Sequence, residues 1–413
     1  MANRLFIDLD PLRESRDFRI LFAGQLVGVL GGQLTLVAVA FQVYAMTRSS
    51  FQVGLVSLVQ LVPLVLGALI GGTVGDAVDR RGILVATSAS FGLASVVLAL
   101  NAASSHPSVR AIYLVSALAA GVGGAGSTAC NAAVPSLVES RHLVAAYTSL
   151  QVVDQLGMVV APAFAGLLLE AIHLEWIYAL VAGAYVLTAL TMMRMSPSPP
   201  ASGASRAGLE SVLEGLRYLR GRPVLQGAYL IDLNAMVFGM PRALFPALAV
   251  TVFDGGSGTL GFLFAAPALG ALLGALTTGW LAHVRRQGVA VIVAVCVWGT
   301  AIVLFGLVHL LWIGLALLMV AGWADVISAV LRTTILQSSV PAAFRSRISS
   351  LQIAVVEGGP RLGDVESGAV ATLVSTEFSV VSGGLACLAG ALILAAALPR
   401  FRTFDRGEVV DPH

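Results

Sequence analysis

The sequence contains little charge and no lysine. Only 11% of its 413 residues are charged, whereas soluble proteins carry about 25%, and this shortage excludes an ordinary water-soluble globule. All 24 basic residues are Arg and the formal net charge is +2, which is too small for a typical nucleic-acid-binding protein. The three cysteines, Cys130, Cys296 and Cys387, lie far apart in apolar runs, which argues against a disulfide framework or a CxxC metal site.

Motifs for cofactors are also missing. The sequence has no Walker A motif, so ATP is not expected to supply energy through that motif. Its six histidines are scattered near loops and ends, without metal-ligand spacing, and we expect neither a metal nor another cofactor. The run Gly121-Val-Gly-Gly-Ala-Gly fits the pattern GxGxxG but lies inside an apolar stretch and not after a strand. It therefore predicts close helix packing instead of dinucleotide binding.

What the chain does contain is long apolar runs. Hydrophobic residues make up 57% of it, and its mean hydropathy is +0.90. A membrane-spanning helix needs roughly 20 apolar residues. This criterion predicts twelve spans, at about 20–45, 51–75, 83–103, 111–137, 143–172, 176–193, 224–253, 259–282, 289–308, 310–336, 348–376 and 378–399.

The distribution of Arg predicts the orientation of these spans. If the N-terminus is cytoplasmic, the tails and the even-numbered loops hold nineteen of the 24 Arg residues. The odd-numbered loops hold only Arg48 and Arg110, and the other three, Arg242, Arg332 and Arg361, fall within spans. Because basic residues retain loops on the cytoplasmic side, we predict an even number of spans with both termini in the cytoplasm.

A polar break divides the chain into halves. We predict an N-terminal six-helix half at 1–193, a cytoplasmic linker at 194–222 and a C-terminal six-helix half at 223–413. In the linker, apolar residues recur at three-to-four spacing from Leu209 to Leu219, with charged residues opposite. This pattern predicts an amphipathic helix on the inner membrane face, and a soluble linker helix is the alternative.

A loop sequence occurs once in each half. Gly72-Thr-Val-Gly-Asp-Ala-Val-Asp-Arg-Arg follows span 2, and Gly279-Trp-Leu-Ala-His-Val-Arg-Arg follows span 8. His283 in the second copy stands where the first copy has Asp76. Two six-span halves with a shared loop sequence are typical of transporters built from repeats.

These features resemble the major facilitator superfamily, which implies an all-α integral membrane fold of twelve helices in two six-helix halves. The loop after span 2 resembles that family's motif G-x-x-x-D-x-x-G-R-[RK], with Asp76, Arg80 and Arg81 in place and with departures at Ala77 and Asp79. The resemblance implies that Asp76, Arg80 and Arg81 form a cytoplasmic gate, bridging helices and stabilising the outward-facing state.

Stretches in both halves resemble a group of bacterial siderophore exporters that carry enterobactin. They are Phe51-Gln-Val-Gly-Leu, Phe245-Pro-Ala-Leu-Ala, Gly261-Phe-Leu-Phe-Ala-Ala, Gly274-Ala-Leu-Thr-Thr-Gly and Leu281-Ala-His. The run Gly358-Gly-Pro-Arg-Leu-Gly-Asp in span 11 is more similar to drug-efflux relatives. The resemblance implies a monomeric efflux protein of the bacterial cytoplasmic (inner) membrane.

Span 5 carries a second motif. Gly157-Met-Val-Val-Ala-Pro-Ala-Phe-Ala-Gly is similar to the antiporter motif G-x-x-x-G-P-x-x-G-G, with Ala161 and Ala165 replacing two glycines. Small residues allow helices to approach closely, and Pro162 removes one helical hydrogen bond; a generic packing face is the alternative. Residues 118–138 contain no basic residue, so the span-4 Arg motif of drug antiporters is absent and proton coupling would use other groups.

Nine ionisable residues fall within the predicted spans. Each is unfavourable by about 2.5–3.5 kcal/mol near the middle of the bilayer, so we expect most of them to line a polar cavity, to pair, or to lie nearer the interface. Six are acids and therefore candidates for proton coupling: Asp154, Asp232, Asp325, Glu357, Asp364 and Glu366. The three bases are Arg242, Arg332 and Arg361.

Spacing separates these acids into three types. Asp154 and Asp232 have no opposite charge within one turn, so each predicts either a proton relay or a pair with Arg on another helix. In span 10, Asp325 and Arg332 are seven residues apart and share a face. In span 11, three residues with i, i+4, i+7 spacing share a face beside a Gly-Gly-Pro run: Glu357, Arg361 and Asp364. The latter pattern predicts a broken helix that lines a cavity, or a structural network of ion pairs.

Other polar residues predict a substrate cavity, because small-molecule sites place a few polar groups in an apolar pocket. The neutral candidates are Gln25, Gln33, Gln151, Gln155 and Asn234, each of which could instead link helices. Trp323 could stack on an aromatic or cationic ligand. Arg242, Arg332 and Arg361 complete the set, and Arg242 could counter an anionic ligand or extend to the interface.

The sequence predicts a secondary exporter that works by alternating access and exchanges a siderophore or a drug-like amphipathic molecule for protons. Its partners would be the small-molecule substrate, protons and the lipid bilayer. One alternative is proton-coupled uptake of a polar nutrient. The other is a multi-span membrane enzyme, which would need a nucleophile–base or metal arrangement that we do not find in the sequence, so we do not expect an enzyme.

Overall fold

The fold is built from helices. The computed structural model describes residues 10–75, 78–197, 209–341 and 344–405. The helices in this part of the chain are α1 (Asp10–Glu14), α2 (Arg16–Thr47), α3 (Ser50–Gly75), α4 (Arg80–Ala103), α5 (Val109–Leu137), α6 (Leu143–Ala171), α7 (Leu174–Met192), α8 (Leu209–Leu219), α9 (Pro223–Phe238), α10 (Phe245–Thr251), α11 (Ser257–Thr277), α12 (Gln287–Leu307), α13 (Leu311–Ser339), α14 (Arg345–Leu373), α15 (Thr376–Ala397) and α16 (Pro399–Arg402). Short 3₁₀ helices occur at Ser140–His142, Arg242–Leu244 and Thr278–His283.

Each predicted apolar stretch corresponds to a long helix or, for span 7, to a pair of helices. Within the described residues, eleven helical segments are long and apolar enough to cross a membrane. The twelfth span is α14, which has 29 residues and carries the charged residues Glu357, Arg361, Asp364 and Glu366. Its length is sufficient for a span, but it is more polar than the other eleven.

The structure breaks the helix of span 7 and leaves that of span 11 continuous, so the expected break in span 11 is wrong. Span 7 is interrupted, because α9 ends at Phe238 and the chain passes through a 3₁₀ turn before α10. Pro241 lies in this interruption and has no N–H to continue the helical ladder. Span 11, in contrast, is continuous, with Pro360 inside α14. Its glycines serve close packing instead, since a side-chain carbon at Gly363 would overlap the backbone of α9 at Met236.

The residues group into two compact units. The first comprises Met1–Met46 and Val59–Arg206, and the second Thr47–Leu58 and Ala207–His413. In the first unit the run that begins at Gly121 packs against α3, because a side-chain carbon at Gly124 would overlap the backbone at Leu64. The predicted role of that run in close helix packing is confirmed.

Small residues also set the packing of the second unit. Helices α11 and α13 are in close contact, since a side-chain carbon at Gly270 would overlap the backbone of Met319 and one at Gly322 would overlap that of Pro267. The first turns of α3 belong to this unit, where Gly54 lies against the backbone of α14.

The linker helix α8 forms where the apolar spacing predicts it. It packs against α14, where Glu214 forms an ion pair with Arg347 and the ring of Tyr218 stacks on Phe344 with a centroid separation of 4.4 Å. These contacts attach the linker helix to the second unit. Its position on the inner membrane face stays a prediction.

We predict that Gly322→Ala lowers the thermal stability of the protein. The added methyl group overlaps the backbone of α11, and overpacking of this kind costs about 1–3 kcal/mol. The measurement is the midpoint of thermal unfolding of the purified protein in detergent. Gly183→Ala is the matched control, because a side-chain carbon there meets no atom within 4 Å; equal midpoints for the two variants would contradict the packing argument.

Candidate functional site

A cluster of charged side chains is buried between α9 and α13. The guanidinium Nη2 of Arg332 lies 2.7 Å from Oδ1 of Asp232, and the two residues are only 3% and 1% exposed. Arg332 also donates through Nη1 to the hydroxyl of Ser328, at 3.0 Å. Asp325, one turn before Ser328 on α13, is half-buried and forms no ion pair with Arg332, although it lies near enough to add a second negative charge to this region. We call Asp232, Asp325 and Arg332 the buried charge cluster.

The charges in this cluster do not balance. Asp232 and Asp325 supply two carboxylates and Arg332 supplies one guanidinium, so the cluster carries one excess negative charge when all three groups are ionised. Within the described residues, Oδ2 of Asp232 and Nε of Arg332 are buried without a hydrogen-bond partner. A buried charge is stable only when it is paired and hydrogen-bonded. One bound proton would make the three charges balance.

A second group of polar residues lies at the break between α9 and α10. Arg242, at the start of the 3₁₀ turn, donates through Nη2 to Oδ2 of Asp364 on α14, at 3.1 Å. The hydroxyl of Ser57 on α3 donates to the same oxygen, at 2.7 Å. The side chain of Asp364 is 5% exposed and that of Arg242 is 32% exposed. The helix break thus presents a partly accessible guanidinium beside a buried carboxylate.

The charged residues of α14 do not form the single group that their spacing predicts. Arg361 donates through Nη1 to Oε2 of Glu357, at 2.9 Å and one helical turn away. Asp364 joins Arg242 instead of this pair, so the predicted shared face holds one ion pair within α14 and one between helices. Glu357 is exposed and Glu366 is half-buried. Within the described residues, Glu366 has no hydrogen-bond or ion-pair partner.

In the first unit, Asp154 has a neutral partner. The side-chain amide of Gln25 on α2 donates to Oδ1 of Asp154 on α6, at 3.0 Å. The thiol of Cys130 on α5 lies 3.7 Å from the amide oxygen of the same Gln25. A polar chain therefore links three helices, and in the described part of the unit no cation pairs with the half-buried Asp154.

The remaining cavity candidates are dispersed. Asn234 donates to the carbonyl oxygen of Cys387 on α15, at 2.9 Å, and the indole N–H of Trp323 donates to the hydroxyl of Thr277, at 3.1 Å. These two contacts link helices. Three glutamines lack a hydrogen-bond partner in the described residues: Gln33, Gln151 and Gln155, of which Gln151 is exposed.

The loop after α3 holds the gate candidates. Arg80 is buried and donates through Nη1 to the carbonyl oxygen of Ala132, at 2.9 Å. Arg81 donates to the carbonyl oxygen of Met193. Both guanidinium groups therefore join helices of the first unit, whereas Asp76 lies outside the described residues.

The sequence did not indicate three residues that contact the candidate charged or polar groups: Ser57, Ser328 and Cys130. A single Ser or Cys in an apolar helix carries no distinctive signal, because such residues commonly satisfy themselves on their own helix backbone. Within the described residues, no group of three or more His, Cys, Asp or Glu side chains is arranged to hold a metal ion.

Comparison with known proteins identifies the family. The family model described as "Transmembrane secretion effector", a model of the major facilitator superfamily, matches residues 7–409. The chain belongs to this family. It is also 31% identical over 398 residues to Enterobactin exporter EntS of Escherichia coli O139:H28, covering 96% of this chain and 95% of the relative. The EntS protein of Escherichia fergusonii gives the same values.

Solved structures have the same fold. The nucleoside transporter NupG matches with a TM-score of 0.73 at 12% identity, covering 94% of this chain and 99% of that one. A bacterial homolog of the human lysosomal transporter Spinster matches with a TM-score of 0.67 at 17% identity, covering 94% of this chain and 97% of that one. The predicted twelve-helix major facilitator fold is confirmed, and the chain is a multi-pass membrane transporter of that type.

We predict that Arg332→Leu strongly destabilises the protein, because the substitution leaves the buried carboxylate of Asp232 without its cation. Removal of one partner from a buried ion pair costs about 3–5 kcal/mol. Arg141→Leu is the control, since Arg141 pairs with Glu14 and Glu139 at the exposed surface and such pairs contribute about 0–1 kcal/mol. Thermal unfolding in detergent measures both variants, and Asp232→Asn added to Arg332→Leu should recover part of the loss. An unchanged midpoint for Arg332→Leu would contradict the burial of the pair.

Proposed function

We propose that this transporter is a secondary exporter that exchanges protons for siderophores or drug-like amphipathic molecules. The substrate class is supported by the 31% identity, over nearly the whole chain, to proteins named as enterobactin exporters. Export in exchange for protons also agrees with the span-5 motif, whose Gly157 packs against Val29 on α2.

The observation that carries the proton-coupled step is the imbalance of the buried charge cluster. When Asp232 and Asp325 are both ionised beside Arg332, the cluster has a net charge of −1. One bound proton makes the cluster neutral, and a neutral group is far less unfavourable in hydrocarbon than a charged one. Uptake of a proton from one side and its release to the other would therefore couple to a change in helix packing.

The other membrane acids lie outside the buried charge cluster and are further candidates for proton coupling. Asp154 is held by Gln25 and has no cation beside it in the described residues, so its ionisation would change the polarity of the first unit. Asp364, Glu357 and Glu366 remain further candidates for the proton site. Among them Asp364 is the most buried, and Arg242 shares its charge.

For substrate binding we propose the helix break that precedes α10. The side chain of Arg242 is partly exposed there and can pair with an anionic group of a ligand when Asp364 is protonated. Gln25 on α2, Asn234 on α9 and Trp323 on α13 remain separate candidates for substrate contact, Trp323 through stacking. Arg332 and Arg361 would contribute positive charge without leaving their carboxylate partners.

We place the protein in a bacterial inner membrane as a monomer, with both termini in the cytoplasm. The Arg distribution supports this orientation. It would also put the loop that contains Asp76, Arg80 and Arg81 on the cytoplasmic side, where those residues would act as a gate.

Transport in everted membrane vesicles tests the proposal, because their lumen corresponds to the outside of the cell. We expect the wild type to accumulate enterobactin in the lumen when the lumen is acidic, and to stop when the pH gradient is collapsed. Asp232→Asn should lose most of this accumulation, because the cluster can no longer exchange a proton at that position.

Glu377→Gln is the matched control for that experiment. Glu377 lies in the first turn of α15, outside the charge cluster, and its loss should leave accumulation unchanged. Accumulation of neither enterobactin nor drug substrates would overturn the export assignment. Accumulation that depends on the opposite gradient would support uptake instead, and equal transport by Asp232→Asn would remove the cluster from the coupling step.

Cysteine labelling tests the orientation. In a background with Cys130, Cys296 and Cys387 replaced by Ser, a membrane-impermeant maleimide should label Arg110→Cys in intact cells. It should label Arg194→Cys only after the cells are permeabilised, because that residue lies on the cytoplasmic side in the proposed topology. Both positions are exposed, and the reverse pattern would invert the topology.

A further inference from the structure

The chain after α15 is held firmly against the second unit. Phe401 and Phe404 are 0% and 1% exposed. The ring of Phe401 fills the space beside Gly227 on α9, and its carbonyl group lies against Gly288 at the start of α12. This short segment is therefore part of the folded unit and has a defined position beside the loop that precedes α12.

That position brings two basic pairs together. The amide of Gly288 donates to the carbonyl oxygen of Phe404, at 3.4 Å, and Arg286 forms a backbone bridge with Asp405. Arg285 and Arg286 on the loop therefore lie beside Arg400 and Arg402, which flank the buried Phe401. We call these four residues, Arg285, Arg286, Arg400 and Arg402, the basic corner.

The side chains of the basic corner are exposed. None of the four guanidinium groups makes a hydrogen bond, an ion pair or a ring contact with any residue that the structure describes. Asp405 is the one acid in the described residues that follow α15, and the four Arg residues together with Asp405 carry a formal charge of +3. His283, also exposed, stands just before the first pair.

The first copy of the loop sequence shows that this exposure is not a requirement of the fold. There, the guanidinium of Arg80 is buried on the carbonyl oxygen of Ala132, and that of Arg81 donates to Met193. The equivalent residues of the second copy, Arg285 and Arg286, have no such contact within the described chain. The guanidinium groups of Arg80 and Arg81 thus bind backbone carbonyls, whereas those of Arg285 and Arg286 are accessible to a ligand.

An apolar surface lies in the chain just before the basic corner. Leu276 is 76% exposed near the end of α11, and Trp280 in the following 3₁₀ turn is 49% exposed. Exposed Trp side chains concentrate at the level of lipid headgroups, and Arg matches the geometry of phosphate with two parallel N–H donors. Clusters of four to eight basic residues beside a membrane segment bind anionic lipids.

We infer that the basic corner binds the phosphate groups of anionic phospholipids, while Leu276 and Trp280 contact the acyl and interfacial region. The site is separate from the transported substrate and from the proton-coupled step. In the proposed orientation it faces the inner leaflet. A lipid bound there would connect α9, the loop before α12 and the segment after α15, and would stabilise the second unit.

Titration of the purified full-length protein in detergent with phosphatidylglycerol tests this inference, with phosphatidylcholine as the uncharged comparison. Native mass spectrometry gives the affinity, and the midpoint of thermal unfolding gives the stabilisation. Each basic residue near an anionic surface contributes about fivefold to binding. The variant Arg285→Gln/Arg286→Gln/Arg400→Gln/Arg402→Gln should therefore bind phosphatidylglycerol at least roughly tenfold more weakly and lose the lipid-dependent rise in midpoint.

The matched control removes the same charge from exposed Arg residues of the first unit, in the variant Arg13→Gln/Arg16→Gln/Arg110→Gln/Arg194→Gln. It should keep the affinity of the wild type. An equal loss in both variants would reduce the effect to general surface charge and overturn the site. Stabilisation by inorganic phosphate alone would show a free anion site and overturn the lipid assignment.

Two further variants guard against a misfolded quadruple variant. Arg285→Gln/Arg286→Gln and Arg400→Gln/Arg402→Gln each remove half of the corner and should each weaken phosphatidylglycerol binding. The quadruple Arg→Lys variant retains the charge and should retain most of the binding. Unchanged binding in both double variants contradicts the inference. Because lipid binding to the purified protein needs no transported substrate, failure here is distinguishable from failure of the proposed export function.

Discussion

Hydrocarbon offers no hydrogen bonds to a charged side chain, and this constraint organises the whole molecule. A charge within a span must find a partner inside the protein or reach a polar cavity. Arg332 satisfies the constraint by joining α13 to Asp232 on α9, and Arg242 does so by joining the α9–α10 break to Asp364 on α14. The same two pairs join helices of the second unit and are the groups for which we propose a role in transport.

The two ion pairs differ in their net charge and in the exposure of the guanidinium group. The buried charge cluster has one carboxylate more than it has cations, so its protonation changes its net charge. In the second pair, one carboxylate, that of Asp364, is balanced by one guanidinium, that of Arg242. The guanidinium is partly exposed and therefore accessible to a ligand. A small residue assists the second arrangement, since Gly363 allows α14 to contact α9 through the backbone. The binding and coupling roles that we propose for this unit therefore fall on the helices that also pack it.

Hydropathy and spacing predicted the helices well and the contacts between them poorly. Each apolar stretch corresponds to the expected helix, because burying or lipid-exposing about 20 apolar residues depends only on the local chain. The Gly-Gly-Pro run in α14 led to the wrong prediction of a helix break, because glycine is compatible both with a break and with close helix packing. The break occurs instead near Pro241, where the sequence contains an equally ordinary Gly-Met-Pro.

By itself, the sequence determined that this chain is a twelve-span transporter built from helices, and it identified which residues bear charge inside the membrane. Only the tertiary structure decided which of them pair. Asp232 and Arg332 are a hundred positions apart, and Ser57 reaches Asp364 from a different helix. Spacing along one helix reports neighbours within two turns, whereas the partner of a buried charge is chosen by helix packing, which brings together residues that no local pattern connects.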